Sequence, residues 1–99
     1  MGGVGLSRRR SRLDIILSVL SAVRDGVDKP TRIMYATNLS WRPTQSVLRF
    51  LVQQGLLMEV REGRERRSKV RYRLTEKGLE VVNYFEKARD LIVLEEFPL

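Results

Sequence analysis

Arg42, Gln45, Ser46, Arg49 and Gln53 fall at i, i+3, i+4, i+7 and i+11, so a helix over this segment carries all of them on one continuous face. Side chains of these types do recognition chemistry rather than bond making. A guanidinium donates in a fork to paired acceptors such as those of guanine, a carboxamide both donates and accepts on an adenine edge, and a hydroxyl suits a phosphate oxygen. Arg42, Gln45 and Arg49 are therefore candidates for base edges and Ser46 for a phosphate. None of the face is acidic, whereas a solvated helix face usually mixes glutamate with lysine. An ordinary polar surface is the competing reading.

The charge is unevenly spread. The whole chain is +7, yet residues 61–74 alone hold seven basic groups against Glu62 and Glu65, and residues 75–99 are net −3. Arg64, Arg66, Arg67 and Lys69 surround the tip of this segment, where they suit duplex phosphates or a narrow minor groove. Arg71 and Arg73, two positions apart on a strand, extend the same rail. Arg8, Arg9 and Arg10 form a second basic cluster in a stretch without periodicity, residues 1–11, which reads as a flexible arm that either contacts nucleic acid or is merely solvated. An anionic polymer is the partner such patches fit. The alternatives are a surface of heat-adapted ion pairs, an edge strand protected by charge, and a module that binds an acidic protein.

Several classes of chemistry are excluded by composition. The chain has no Cys and no His, so thiolate and imidazole nucleophiles, bases and metal ligands are absent. Asp14, Asp25 and Asp28 follow no metal-loop or paired-acid pattern, and no Gly-rich phosphate loop follows a strand. No enzyme activity, metal or cofactor is expected. Single-stranded RNA is a weaker match than a duplex, since few aromatics sit among the basic residues to stack on bases. Trp41 and Tyr35 flank a short connection and are expected mainly to pack the corner there.

The elements that position these residues follow from periodicity. Leu13, Ile16, Leu17, Leu20 and Val23 recur at helical spacing and predict a helix over 12–25 that Gly26 stops. Pro30 suits the first position of a second helix ending near Asn38. Ser40 is a candidate N-cap, its hydroxyl accepting from a first-turn amide, for a third helix whose polar face is the recognition segment 42–54, stopped by Gly55. Its apolar stripe is Val47, Leu48, Leu51 and Val52, with Phe50 to one side. The period then changes to two. Leu56, Met58 and Val60 are expected inward, with Leu57, Glu59 and Arg61 outward. After a charged loop, Val70, Tyr72 and Leu74 are expected inward. Thr75 caps a last helix over 76–96, in which Gly78 weakens the first turn.

Three helices, a hairpin and a helix within 99 residues give an α+β, mostly helical winged helix-turn-helix, one domain over 12–96 with its wing at 61–73. In the last helix Leu79, Val82 and Phe85 are expected to close over the first. Val81, Phe85, Ala88 and Ile92 follow the 4–3–4 spacing of a helix-pair seam and predict a homodimer, the alternative being a helix that folds back or frays. No run approaches the ~20 apolar residues of a membrane span, and a cytoplasmic, nucleoid location is expected.

The runs Arg10-Ser-Arg-Leu-Asp-Ile-Ile16, Thr31-Arg-Ile-Met-Tyr35, Asn38-Leu-Ser40 and Leu74-Thr-Glu-Lys-Gly78 resemble the archaeal ten-kilodalton winged-helix chromatin proteins. This likeness spans roughly residues 10–80. It implies binding of double-stranded DNA with little or modest sequence preference, contact by Arg32 and the third helix, and dimerisation through the C-terminal helix. Here that helix is shorter than in the family and the wing longer and more basic.

Overall fold

The computed structural model describes residues 10–63 and 69–98. Arg8, Arg9, Arg64, Arg66 and Arg67 lie outside the described residues. Helix α1 spans Arg12–Arg24 and opens on a reciprocal cap, the Ser11 hydroxyl accepting from the Asp14 amide at 3.0 Å and the Asp14 carboxylate from the Ser11 amide at 3.2 Å. It ends at Asp25, and Gly26 takes the left-handed conformation (φ 102°) that turns the chain away. Helix α2, Pro30–Thr37, starts with proline at its first position and closes on Asn38, itself left-handed at φ 57°.

Helix α3 spans Trp41–Gln53. Ser40 occupies its N-cap, but the hydroxyl makes no capping bond. Instead the Ser40 carbonyl accepts from both the Thr44 amide (3.1 Å) and the Thr44 hydroxyl (2.8 Å), which satisfies a buried threonine. Strands β1 (Leu57–Glu62) and β2 (Lys69–Leu74) pair antiparallel in the register Leu57↔Leu74, Glu59↔Tyr72 and Arg61↔Val70. Helix α4 covers Glu76–Asp90, and a 3-10 turn follows at Leu94–Glu96. These elements make an α+β, mostly helical winged helix.

Val19, Leu20 and Val23 of α1, Ile33 of α2, Leu48 and Leu51 of α3, Leu56 and Leu57, and Val82 of α4 form the core. Two links at its rim hold elements in place. Arg24 of α1 grips Glu86 of α4 at 2.6 and 3.0 Å, a bidentate pair that also engages Asn83. At the other end, the Thr75 hydroxyl donates to the Gly55 carbonyl (2.6 Å) and accepts from the Gly78 amide (3.0 Å), while the Lys77 ammonium donates to the Gln54 carbonyl at 2.8 Å. The start of α4 thus seals the end of α3.

Four further expectations require correction. The facing of β1 is reversed: Leu57 is buried and Met58 is 49% exposed. Leu56, buried as expected, belongs to the bend after Gly55, where its amide reaches back to the Leu51 carbonyl, so the strand starts one residue later and Leu57, Glu59 and Arg61 share the face of Leu74, Tyr72 and Val70. The last helix stops at Asp90, not at 96. Finally, Tyr35 is 78% exposed and Trp41 half-exposed, so neither fills the corner, and Leu79 is also exposed while Val82 alone closes fully on the core.

Candidate nucleic-acid interface

Helix α3 buries Thr44, Leu48 and Leu51 and thereby turns the opposite side outward. Arg42, Gln45, Ser46, Arg49 and Gln53 are all exposed, and the first turn of the helix has no acidic residue. Arg32 is exposed on α2, and Lys69 and Arg73 are exposed on β2. Arg10, at the end of the arm, donates to the Asn38 carbonyl at 3.2 Å and so lies against the turn between α2 and α3.

Arg71 is placed differently from the free phosphate contact expected of it. Its side chain is about two-thirds buried, with one terminal nitrogen 3.4 Å from Asp28 and Nε 3.3 Å from Glu62. That Nε is buried and, among the described residues, forms no well-aligned hydrogen bond. The neighbouring Tyr72 amide donates to the Asp28 carbonyl at 2.9 Å. Asp28 therefore ties the wing to the connection between α1 and α2 through backbone and side chain together, and Arg71 serves that junction.

Between α3 and the hairpin lies a groove of about 600 Å³, lined from the helix by Trp41, Gln45, Arg49 and Gln53 and from the strands by Glu59, Arg61 and Tyr72. The alternation of the sequence predicts Glu59 and Arg61 on the far side of the wing. The reversed facing of β1 brings them to the recognition helix instead, and the doubled apolar pair Leu56-Leu57 was the signal that the phase was ambiguous. Glu59 accepts from the Tyr72 hydroxyl at 3.3 Å and lies 3.4 Å from the Arg61 Nε. Burial pushes the Tyr72 phenol above its ordinary value, Glu59 adds to the rise, and Arg61 and Arg49 oppose it.

Of the seam expected in the last helix, Val81, Phe85 and Ala88 are half-buried and Ile92 is exposed beyond the helix end. Phe85, Ala88 and Ile92 share a second groove, about 770 Å³, with Leu17 and Ser21 of α1. Leu91, Val93 and Phe97 are exposed as well.

Comparison with known proteins fits this architecture. The chain is 33% identical over 70 residues to an uncharacterized protein of Methanocaldococcus jannaschii, a match covering 71% of the chain and 64% of that relative. In structure it is similar to Bordetella bronchiseptica BpsR, whose DNA binding is regulated by 6-hydroxynicotinic acid (TM-score 0.71, 24% identity, 85% of this chain and 64% of that one). It is also similar to the transcriptional regulator BldR of Sulfolobus solfataricus, with TM-score 0.69 and 20% identity over 85% of this chain and 62% of that one. The chain thus spans less than two thirds of the length of each of these proteins. The narrower likeness to ten-kilodalton chromatin proteins rests on the sequence motifs alone. The sequence profile described as winged helix-turn-helix matches residues 9–93, most of the chain, and the protein belongs to that family.

Proposed function

We propose that the protein binds double-stranded DNA without catalysing a reaction, as a transcription regulator or nucleoid-associated protein of archaeal, chromatin type. The observation that carries this reading is the exposed, acid-free face of α3 beside a basic hairpin. In this reading α3 enters the major groove, with Arg42, Gln45 and Arg49 at base edges and Ser46 at a phosphate. Arg32, Lys69 and the loop arginines Arg64, Arg66 and Arg67 supply the sequence-independent phosphate contacts that dominate affinity.

A second copy of the chain is the proposed protein partner. The exposed Ile92, which shares a groove with the half-buried Phe85 and Ala88, and the exposed Leu91, Val93 and Phe97 favour contact with another apolar surface. A two-fold dimer would present two recognition helices to a palindromic site. Among the described residues no helix is long and apolar enough to cross a membrane, and a cytoplasmic, nucleoid location is part of the proposal.

The test is binding to a labelled random-sequence duplex titrated from about 50 to about 300 mM salt, with RNA of the same sequence alongside. A log–log slope of about −4 or steeper, with DNA preferred, supports duplex binding through several phosphates. Absence of binding at low salt overturns the proposal and leaves an acidic protein as the partner to seek.

A further inference from the structure

We propose that Arg61 is a contact residue for the duplex backbone, on the wing and outside the recognition helix, and that Glu59 and Tyr72 position it. The inference rests on the duplex reading above and deepens it. The register pairs Glu59 with Tyr72 across the hairpin and leaves Arg61 two residues along β1, so all three share the face that looks across the groove to Arg49. Each carboxylate oxygen of Glu59 has one partner: Oε2 accepts from the Tyr72 hydroxyl at 3.3 Å, and Oε1 lies 3.4 Å from Arg61 Nε. Tyr72 is the fixed end of this chain. Its ring is half-buried and its amide is held by the Asp28 carbonyl. Arg61 is the free end, its side chain 64% exposed, and among the described residues only Nε has a partner.

An acidic residue on this face otherwise works against binding. A carboxylate near a phosphate is repelled by it even in bulk water. Paired to Arg61, the same carboxylate is locally neutralised and restricts a long side chain that would lose its rotamer freedom on binding. The Glu59 carboxylate lies on the Nε side of the guanidinium at 3.4 Å, which leaves both terminal nitrogens for a backbone phosphate, an acceptor of a fork of two donors. Glu59 and Tyr72 act through Arg61 and are positioning residues.

The experiment is the salt-dependent titration of a labelled duplex with the full chain and with Arg61→Ala, Arg61→Lys, Glu59→Gln, Tyr72→Phe and the Glu59→Gln/Arg61→Ala double variant. Arg61→Ala is expected to weaken binding roughly three- to tenfold and to flatten the slope by about 0.9, the value of one phosphate contact. Arg61→Lys is expected to keep the slope, since it keeps the charge. The decisive readout is a change of sign. Glu59→Gln weakens binding when Arg61 is present, because the positioning is lost, and strengthens it in the Arg61→Ala background, where only repulsion is left to remove. Tyr72→Phe keeps the ring and should shrink this coupling. An unchanged slope in Arg61→Ala removes the contact, and Glu59→Gln strengthening binding equally in both backgrounds removes the positioning role. Failure of the unaltered protein to bind duplex overturns the underlying reading, an outcome distinct from intact binding with an indifferent Arg61. Thermal unfolding midpoints within a few degrees of the parent confirm that the exposed-face variants are folded.

Discussion

Gly78→Ala separates local helix preference from packing, because the two predict opposite signs. Gly78 sits in the first turn of α4, where alanine is favoured by about 1 kcal/mol on helix propensity. Yet a Cβ at this position overlaps the Leu56 carbonyl oxygen and approaches Leu74 Cδ1 to 3.0 Å. To admit it, the start of α4 must withdraw from the end of α3. That movement stretches the Thr75 amide bond to the Leu56 carbonyl (3.2 Å) and the Thr75 hydroxyl bond to the Gly55 carbonyl (2.6 Å). Overpacking costs about 1–3 kcal/mol, and each hydrogen bond contributes about 0.5–1.5 kcal/mol. With the propensity gain subtracted, these terms sum to a net destabilisation of about 1–5 kcal/mol. For a domain near one hundred residues each kcal/mol lowers the unfolding midpoint by roughly 4–8 °C. Urea and thermal unfolding followed by helical circular dichroism read the effect directly. A variant as stable as the parent, or more so, would refute the close contact between the start of α4 and the bend at Leu56.

The two helix caps give a paired test: Thr75→Ala should cost about 1–2 kcal/mol, since its hydroxyl both donates and accepts, while Ser40→Ala should cost only a few tenths because its hydroxyl makes no capping bond. The Arg24 guanidinium holds the Glu86 carboxyl below its usual range, against the opposing effect of burial. A carboxyl lowered in the folded state stabilises above its unfolded value of about 4.3 and loses that contribution as pH falls through the folded value. The stability gap between the parent and Glu86→Gln should therefore narrow below about pH 4 in acid titrations. Arg49→Ala should lower affinity by about 1–3 kcal/mol for some sequences and much less for others if it reads guanine, and an equal loss for all duplexes in a competition panel would make it a phosphate contact. Ile92→Glu, at an exposed position, should shift sedimentation equilibrium toward monomer without altering the unfolding midpoint.

Much of the architecture was legible because it rests on short-range rules. The apolar spacing of Leu20 and Val23, proline at the head of α2, and glycine after α3 each act within a turn or two of chain, and among the described residues they located the start of each α-helix and the two strands to within a few residues. The exposure of Arg42, Gln45, Ser46, Arg49 and Gln53 followed in the same way, since the buried side of α3 dictates the other. What was not legible depends on contacts distant in sequence. Which way β1 faces is decided by a single residue of phase at Leu56, and that is fixed only when the bend packs against α4. Arg71 reads as one more arginine in a basic run, whereas Asp28, 43 residues away, takes it into an ion pair. The early end of α4 is likewise invisible to periodicity, because Leu91 and Ile92 continue the apolar pattern past the point where the backbone stops being helical.

The anchoring of β2 at Asp28 bears on how the chain can change length without losing its shape. The Tyr72 amide and the Arg71 guanidinium both meet Asp28, which stands two residues after Gly26 and two before Pro30. An inserted or deleted residue in that short connection moves Asp28 out of reach of one partner or the other and swings the wing against the body. Added residues at the hairpin end, beyond Glu62 and Lys69, leave both bonds untouched. Length variation among homologous chains should accordingly gather at the tip of the wing and spare the connection before α2, so that the reach of the wing can change while its bearing does not.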